Sequence, residues 1–418
     1  MLNLAGYFLY IISTQCYFLL VRLIAPINGR AKLLWQGQVG LLQKIKETES
    51  TISGKSIWIH SSSLGEFEQG RPVIEALKKR YPSHRIIATF FSPSGYEHMK
   101  NDTFCDAVYY LPFESKKNAK ELVKALKPEL AFWVKYDFWF FYLSELRKQN
   151  IPVFLLAAQF RPTQLFFKWY GVFKRNLLKQ FTYIFCQNQH SQDLLNSIQI
   201  NNHILTGDNR YDRVLQNIHP EFELPFIADF KGSSFLLIAG SSYKNEEEII
   251  KQAKENVGDF KVIFAPHFID EQRLISIEKL FGEGCIRYST INSIEDLHNK
   301  NILILDSIGK LSRVYRYADA AFIGGGYWEN GLHNCLEAAA FGMPICFGPK
   351  LRRFPEAHEL VQQTIGTPIN TSLEFISWFK HLLDDPSYTQ KISLKCREFV
   401  ASNKGATEKV LQKITELV

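Results

Sequence analysis

One carboxylate stands where it could act as a catalyst. The segment IWIHSSSLGEFEQG, residues 57–70, passes from an apolar run through three serines and a glycine to Glu66. The run Ile57–Ile59 suits a buried strand, and apolar residues at helical spacing begin at Val73. Glu66 therefore follows a strand, which is where open α/β sheets bind ligands, and a general base could lie there. A structural interpretation competes, because Ser63 and Glu66 have the three-residue spacing of a capping box.

A second candidate site lies in the segment AAFIGGGYWENGLHNCLEAAAFGMPICFGP, residues 320–349. Its strand leads into three glycines, Gly324, Gly325 and Gly326. Without side chains, these would let the backbone approach a ligand closely, although such a cluster alone is also typical of a tight turn. His333 and Asn334 precede a helix whose first N–H groups suit a phosphate. Glu337, about one turn inside, could accept hydrogen bonds from ribose hydroxyls.

Two more strand ends carry polar residues. Ser241 and Ser242 follow the strand of LLIAGSSYKNEEEII and could hold the same phosphate from another side. Helix capping is the alternative role for either serine. His267 follows a strand in FAPHFIDEQR, where it is either a packing histidine or a ligand contact.

The elements that position these residues alternate between strand-like runs and helical segments. We predict strands at Ser56–His60, Arg85–Phe91, Leu130–Lys135, Pro152–Ala157, Thr182–Cys186, Phe235–Gly240, Lys261–Ala265, Asn301–Asp306, Ala320–Gly324 and Pro344–Phe347. Such alternation predicts an α/β fold with two doubly wound, Rossmann-like parallel-sheet domains, which we expect to face a cleft. A chain of 418 residues exceeds one hydrophobic core, so two domains are the expected number. We place their boundaries at 31–216 and 217–418, after an anchor at 1–30.

Composition narrows the function classes. The seven cysteines are scattered without a C-x-x-C pair, which indicates neither a disulfide framework nor a zinc site, and favours a reducing compartment. Net charge is +7, and residues 146–192 contain seven Lys or Arg and no Asp or Glu. The aromatic residues interleaved near Arg161–Lys179 suit contact with anionic lipid headgroups. Nucleic acid is the rival partner, and a solvated basic helix with its aromatics in the core is the structural alternative.

The amino-terminal segment favours the membrane. Met1–Val21 carries no charge, and its length matches the roughly 20 residues that a helix needs to span a bilayer. Arg22, Arg30 and Lys32 follow it, and such flanking charge favours a cytoplasmic location for the rest of the chain. No signal-peptide pattern is evident. Both a spanning helix and a monotopic interfacial helix remain open.

Several motifs together resemble one family. The H-S-x-S-x-G-E form of His60–Glu66, the TGDNRYD of Thr206–Asp212, the glycine block at 320–349 and the apolar anchor resemble the lipid A Kdo transferases. These are membrane-associated glycosyltransferases of GT-B architecture that move 3-deoxy-D-manno-octulosonic acid (Kdo) from CMP-Kdo onto a lipid A precursor. The motifs occur in the same order, and the resemblance covers essentially the whole chain.

The resemblance implies roles at matching positions. Glu66 matches the general base, which would take the proton from the acceptor hydroxyl, and the implied outcome is inversion without a metal or cofactor. Donor contacts are assigned to Ser241, Ser242, His267, Gly325, Gly326, His333, Asn334 and Glu337. Acceptor contacts are assigned to Ser63, Gly65, Asp137, Arg161 and Arg210.

The chain departs from the family pattern at three places. Where E-T-E-x-W is common, KYDFW stands at 135–139, so only Asp137 keeps a carboxylate. Where G-E-L is common, GKL places Lys310, which could supply positive charge near the sugar carboxylate or phosphate. The arginine that usually precedes the position of His267 is missing.

The resulting hypothesis is an enzyme, a Kdo transferase of lipopolysaccharide biosynthesis at the cytoplasmic face of the cell inner membrane. Its expected partners are CMP-Kdo, an anionic glycolipid acceptor of lipid IVA type and the membrane surface, with no nucleic acid. Another GT-B glycosyltransferase or an epimerase that uses a UDP-sugar is the first alternative. A catalytically inactive, membrane-anchored nucleotide-binding protein is the second.

Overall fold

A computed structural model of the chain describes residues 2–218, 223–329, 331–352 and 354–418. Contacts divide the chain into two units. The first contains Met1–Arg213 with Lys404–Val418, and the second contains Val214–Asn403. The predicted two-domain α/β class is confirmed, with a parallel sheet in each unit.

The first unit is built on one parallel sheet. Its strands are β1 Ser56–Ser61, β2 Arg85–Phe90, β3 Ala107–Tyr110, β4 Pro128–Val134, β5 Val153–Ala158, β6 Tyr183–Cys186 and β7 His203–Leu205. They are ordered β3-β2-β1-β4-β5-β6-β7 and all pair in parallel. Because β1 lies between β2 and β4, the strand order reverses at β1 and β4, and ligands bind at such a switch point in open sheets.

Helices cover both faces of this sheet. They are α1 Leu2–Ile24, α2 Gly29–Gln38, α3 Leu41–Ser50, α4 Leu64–Arg80, α5 Pro93–Met99, α6 Lys116–Leu126, α7 Phe140–Lys148, α8 Val172–Leu178, α9 Gln189–Ser197 and α10 Asn209–Gln216. Alternate residues of each central strand enter opposite cores. Trp58 and Trp133 lie in the core on one face, and Ile59 and Phe132 lie in the core on the other.

The second unit repeats the design. Its strands are β8 Leu236–Ser242, β9 Lys261–Pro266, β10 Cys285–Arg287, β11 Ile302–Ile304, β12 Ala320–Ile323, β13 Ile345–Phe347 and β14 Gly366–Pro368, in the order β10-β11-β9-β8-β12-β13-β14. Its helices are α11 Ile227–Lys231, α12 Lys244–Asn256, α13 Glu271–Phe281, α14 Leu311–Val314, α15 Leu336–Ala340, α16 Pro355–Gln362, α17 Ser372–Asp384 and α18 Pro386–Ser402. The order reverses at β8 and β12, which makes them the corresponding switch point.

All ten predicted strands are present, within a few residues of their predicted ends. The four strands that we did not predict, β3, β7, β10 and β14, are the edges of the two sheets. They are three or four residues long and mostly half-buried. An edge strand is covered less than an inner one, so its sequence lacks the continuous apolar run that identified the others.

The last helix, α19 Ala406–Leu417, belongs to the first unit, whereas we predicted it in a second domain over 217–418. Its buried side chains, Val410 and Ile414, join the core cluster that contains Phe67 of α4. An amphipathic pattern indicates that a helix has one buried face, but it does not indicate which sheet that face covers.

The amino-terminal helix α1 packs along the first unit. Tyr10, Phe18 and Val21 are buried, and the ring of Phe18 stacks on that of Phe113 at 4.1 Å. The helix is long and apolar enough to cross a membrane, and little of it is buried. Many of its other apolar side chains are exposed, namely Leu4, Phe8, Leu9, Ile12, Tyr17, Leu19, Leu20, Leu23 and Ile24.

Candidate active site

Glu66 lies in the first turn of α4, directly after β1. Its Oε2 accepts hydrogen bonds from the backbone N–H groups of Ser62 at 2.8 Å and Ser63 at 3.1 Å. The capping interpretation is therefore confirmed for this oxygen. Among the residues that the structure describes, none hydrogen-bonds to Oε1. Capping and acid–base chemistry are thus compatible, because each needs a different oxygen.

The environment of Glu66 holds its pKa near neutrality. Burial, and to a smaller extent the charge of Asp137, raise the pKa of Glu66 to about 7. The N–H groups of Ser62 and Ser63 and the charge of Lys135 act in the opposite direction. A carboxyl with such a pKa is a substantial mixture of both forms at neutral pH, which suits a general base.

Asp137 reaches Glu66 because of the strand order. It follows β4 through a turn in which Lys135 has a φ of +68°. Since β1 and β4 are adjacent and parallel, the loops after them emerge at the same edge of the sheet. The two carboxylates, 71 residues apart in sequence, therefore meet at the switch point.

Of the other predicted acceptor residues, Gly65 and Arg161 are neighbours of Glu66, whereas Arg210 is paired with another carboxylate. Gly65 is exposed beside Glu66 in the first turn of α4. Arg161 is exposed, and both its charge and that of Glu66 act on the hydroxyl of Tyr136, so the three are neighbours. Arg210 instead pairs with Asp208, with 2.7 Å between its Nη2 and the Oδ2.

A chain of hydrogen bonds connects Arg210 to the turn after β4. Asp208 Oδ1 accepts from the amide of Gln187 at 3.1 Å, and the Oε1 of Gln187 accepts from Lys135 at 3.4 Å. Burial opposes ionisation of Asp208, but the guanidinium of Arg210 outweighs it and lowers the pKa of Asp208. Arg210 thus stabilises a polar network that borders the site.

In the second unit, the serine pair ends β8. Ser241 has a φ of +53°, which turns the chain sharply at the switch point. The hydroxyl of Ser242 is buried and donates to the carboxylate of Glu247 at 3.0 Å, so this side chain is engaged within the protein. Of the two serines, Ser241 is the more accessible.

The histidines meet around an aromatic ring. The hydroxyl of Tyr243 lies 3.0 Å from Nε2 of His333, and its ring centre lies 5.0 Å from that of His267. Burial and the neighbouring His267 lower the pKa of His333 to about 4, so this imidazole is neutral at physiological pH. It can therefore offer a hydrogen bond but no charge.

The glycine cluster packs closely against neighbouring backbone, and the predicted approach to a ligand stays a prediction. A Cβ on Gly324 would lie 2.0 Å from the carbonyl oxygen of Ser241, and one on Gly326 would lie 2.6 Å from the nitrogen of Gly348. Gly325 has a φ of +89°, and its N–H donates to Glu246 at 2.8 Å. These contacts are what excludes side chains here.

Asn334 and Glu337 are paired. The side-chain amide of Asn334 donates to Glu337 at 3.0 Å, while its Oδ1 accepts from the N–H of Leu336 and caps α15. The Nζ of Lys310 lies 4.3 Å from the ring centre of Tyr288, and its predicted role near the sugar carboxylate or phosphate stays a prediction.

Two aromatic residues of this rim were not predicted. Tyr243 contacts both histidines, and Trp328 packs edge-on against it with ring centres 4.5 Å apart. Both lie in segments predicted to hold the donor, LLIAGSSYKNEEEII and residues 320–349, but our prediction there named only polar residues and glycines. An aromatic residue directly after a strand-end serine pair was the available signal.

Known proteins resemble the chain in sequence and in fold. Residues 34–213 match the family described as 3-deoxy-D-manno-octulosonic-acid transferase (kdotransferase). The 3-deoxy-D-manno-octulosonic acid transferase of Aquifex aeolicus is 24% identical over 349 residues, 81% of this chain and 88% of that protein. The Haemophilus influenzae enzyme of that name is 26% identical over 378 residues, 85% of this chain and 86% of its own length.

A solved structure supports the fold. The UDP-GlcNAc 2-epimerase from Neisseria meningitidis matches with a TM-score of 0.60 and 18% identity, over 87% of this chain and all of that one. At this identity, the match shows only the fold. Together with the two parallel sheets, it confirms the GT-B class. The family match and these two relatives, of which the chain covers 88% and 86%, show that the chain is similar to Kdo transferases over most of its length, and they indicate a glycosyltransferase.

Proposed function

We propose that this enzyme transfers Kdo from CMP-Kdo to a lipid A precursor, with inversion at the anomeric carbon and Glu66 as the general base. The observation that carries the proposal is the state of Glu66. It lies at a switch point with one carboxylate oxygen held by two N–H groups and with a pKa of about 7. The held oxygen orients the carboxylate, and the other can accept a proton.

In the proposed step, a hydroxyl of the acceptor attacks the anomeric carbon of Kdo on the face opposite CMP. The new C–O bond forms as the bond from that carbon to the phosphate oxygen breaks. The hydroxyl proton passes to Glu66, and CMP leaves with the electron pair as a phosphate anion. Attack opposite the leaving group inverts the configuration.

The acceptor is anionic, and the surroundings of Glu66 suit it. Arg161 is exposed near Tyr136, and Lys135 lowers the pKa of Glu66 by its charge. These two cations are placed to meet a phosphorylated glycolipid as it approaches the base. Ser63, Gly65 and Asp137 are the proposed neighbours of the reacting hydroxyl.

We assign the donor to the rim of the second unit. Ser241, His333 and the Asn334–Glu337 pair supply hydroxyl, imidazole and amide donors and a carboxylate acceptor. Ser242 and Gly325 support this rim from within, because their polar groups bind Glu247 and Glu246. Tyr243, which contacts His267 and His333, is added to the proposed donor residues.

We further propose that α1 holds the enzyme on the membrane as a monotopic helix. Its buried side chains span from Tyr10 to Val21, so the helix follows the surface of the first unit over much of its length. Its exposed face is apolar, as in a helix that lies in the lipid interface. Exposed Trp169 and Tyr170, next to the basic helix α8 that packs on α1, extend this face.

A groove between α1, α7 and α8 fits the same role. Its volume is about 530 Å³, and its lining combines apolar walls with basic residues: Leu4, Tyr7, Phe140, Phe173, Arg147, Asn176, Lys179 and Gln180. Such a lining suits an acyl chain next to an anionic headgroup.

The test is transfer from CMP-Kdo to a tetraacylated, bisphosphorylated lipid A precursor, with product mass as the readout. We expect wild-type protein to add Kdo and Glu66→Gln to lose about 10²–10⁴-fold in rate. CMP should still raise the Tm of Glu66→Gln. Glu68→Gln, which alters a neighbouring carboxylate in α4, is the matched control and should retain transfer.

Three outcomes would contradict parts of the proposal. Absence of transfer by the wild type would remove the Kdo transferase assignment, and protection by UDP instead of CMP would favour the UDP-sugar alternative. Full activity of Glu66→Gln would leave the donor and acceptor in place but exclude Glu66 as the base.

A further inference from the structure

A buried histidine lies beneath Asp137. His60, in β1, is fully buried and forms a register pair with Thr89 of β2. Its Nδ1 lies 3.2 Å from the backbone oxygen of Thr89 and 3.0 Å from Oγ1 of the same residue. The backbone oxygen can only accept, so the contact requires a proton on Nδ1.

The threonine hydroxyl agrees with this tautomer. Its Oγ1 accepts a hydrogen bond from Nε1 of Trp58 at 2.8 Å and points its own proton toward the carbonyl of Ile59 at 3.5 Å. With that proton engaged, Oγ1 faces His60 as an acceptor. Both contacts of Nδ1 therefore assign it as the donor, and a neutral His60 would carry a lone pair on Nε2.

That second nitrogen faces a carboxylate. Nε2 of His60 lies 3.5 Å from Oδ2 of Asp137. Both atoms are inaccessible to solvent, and within the described part of the chain neither has another hydrogen-bond partner. Two acceptors at this distance would repel each other in a buried setting. One proton between them removes the repulsion, whether it resides on the imidazole or on the carboxyl.

We infer that His60 is a positioning residue that shares one proton with Asp137 and so limits the negative charge that Asp137 presents to Glu66. The inference rests on the proposed function, in which Glu66 must ionise to act as a base. With the proton in place, the His60–Asp137 pair has no net charge, wherever the proton lies. Without it, Asp137 is an uncompensated anion beside the base.

Other groups surround the pair. Glu66 faces Asp137 from the first turn of α4, and Tyr17 faces it from α1. Lys135 acts on Glu66 from the turn that also carries Asp137. Around His60 itself, β2 contributes Thr89 and β4 contributes the ring of Trp133, whose centre is 5.3 Å away. Neither of these two titrates near neutral pH, so of these three side chains only His60 can hold this proton.

The test measures kcat/KM for Kdo transfer as a function of pH. The shared proton balances the charge by which Asp137 helps to raise the pKa of Glu66 to about 7, so the acidic limb of the wild-type profile should fall at or below that value. His60→Gln keeps the size and a donor but cannot hold the extra proton, and we expect its limb to move upward by about one pH unit. Asp137→Asn removes a carboxylate whose charge the shared proton already balances, so its limb should stay at the wild-type position. The double variant His60→Gln/Asp137→Asn should cancel the upward shift.

The outcomes separate this inference from the proposed function. If His60→Gln lowers kcat without moving the limb, His60 has a packing role and the inference is overturned, while an inactive Glu66→Gln would still support the base. If Glu66→Gln retains transfer, the proposed function fails first. Should His60→Gln not fold, Asp137→Asn decides alone, and a limb that moves downward in that variant reveals an uncompensated charge on Asp137 in the wild type and contradicts the inference.

Discussion

Tyr10, in the apolar helix α1, donates its hydroxyl hydrogen bond to the buried carboxylate of Glu114. The same hydroxyl accepts from the N–H of Phe140 at 3.1 Å, and Glu114 accepts from the N–H of Phe141 at 2.6 Å. A polar network thus fastens a largely apolar helix to the start of α7. Because buried polar groups are costly when unpaired, this network determines where α1 lies on the first unit.

Removing that hydroxyl should loosen α1. Tyr10→Phe leaves the buried Glu114 and the N–H of Phe140 without this partner, and we expect a loss of about 1–3 kcal/mol in the free energy of unfolding. Tyr7→Phe is the matched control, because no described residue hydrogen-bonds to the Tyr7 hydroxyl, and it should change stability by less than about 0.5 kcal/mol. Thermal unfolding in detergent measures both. Equal effects would show that the hydroxyl of Tyr10 contributes nothing specific.

Glu66 should reduce stability at high pH. Its pKa is about 7 in the folded protein and lies above its ordinary value, so the folded state binds more protons than the unfolded state between these values. The contribution of the protonated Glu66 carboxyl to the free energy of unfolding is therefore present at low pH, and it is lost as pH rises through about 7. Glu66→Gln removes this loss and keeps a cap acceptor. We expect it to match wild type at pH 5 and to exceed it by roughly 1–2 kcal/mol at pH 8.

The measurement is the Tm of both proteins across this pH range, with Glu68→Gln as control. A constant difference between Glu66→Gln and wild type from pH 5 to pH 8 would contradict the elevated pKa of Glu66.

The exposed face of α1 should contact lipid. The side chains of Leu9, Ile12 and Leu23 are 72%, 62% and 64% exposed, and each becomes buried if α1 enters the lipid interface. Changing all three to Gln should weaken binding to vesicles that contain anionic lipid by at least tenfold, at about 1–2 kcal/mol per side chain. Leu373→Gln/Leu394→Gln, at exposed positions of the second unit, is the control and should bind as wild type does. Unchanged binding of the triple variant would exclude this face as the membrane contact.

We expect both the ring and the hydroxyl of Tyr243 to contribute to the affinity for CMP-Kdo. Tyr243→Ala removes the ring that packs against His267 and His333, and we expect at least a tenfold loss of CMP-Kdo affinity. Tyr243→Phe removes only the bond to His333 and should lose a few-fold. Calorimetric titration with CMP-Kdo measures both. Tyr388→Phe, in α18, is the control, and normal affinity in Tyr243→Ala would remove Tyr243 from the donor site.

The sequence alone was sufficient for the inner architecture. Buried parallel strands need continuous apolar runs, so β1, β2, β4, β5 and β6 and their counterparts in the second unit could be recognised without coordinates. The edge strands could not, because a strand covered less completely has no such requirement. The packing of Val410 and Ile414 of α19 onto the first unit could not be predicted either, since an apolar helix face does not indicate which surface covers it.

The candidate site, like the fold, could be predicted only in part from the sequence. The sequence determined that Glu66 follows a strand and could cap α4, and it left cap and base as alternatives. Only the tertiary structure decided what surrounds the carboxylate: the order β2-β1-β4 brings Thr89, His60 and Asp137 to one edge of the sheet. Strand order is a long-range property that no local pattern encodes. The pKa of Glu66 depends on burial and on the neighbouring charge of Asp137, and so it too emerges only in the folded chain.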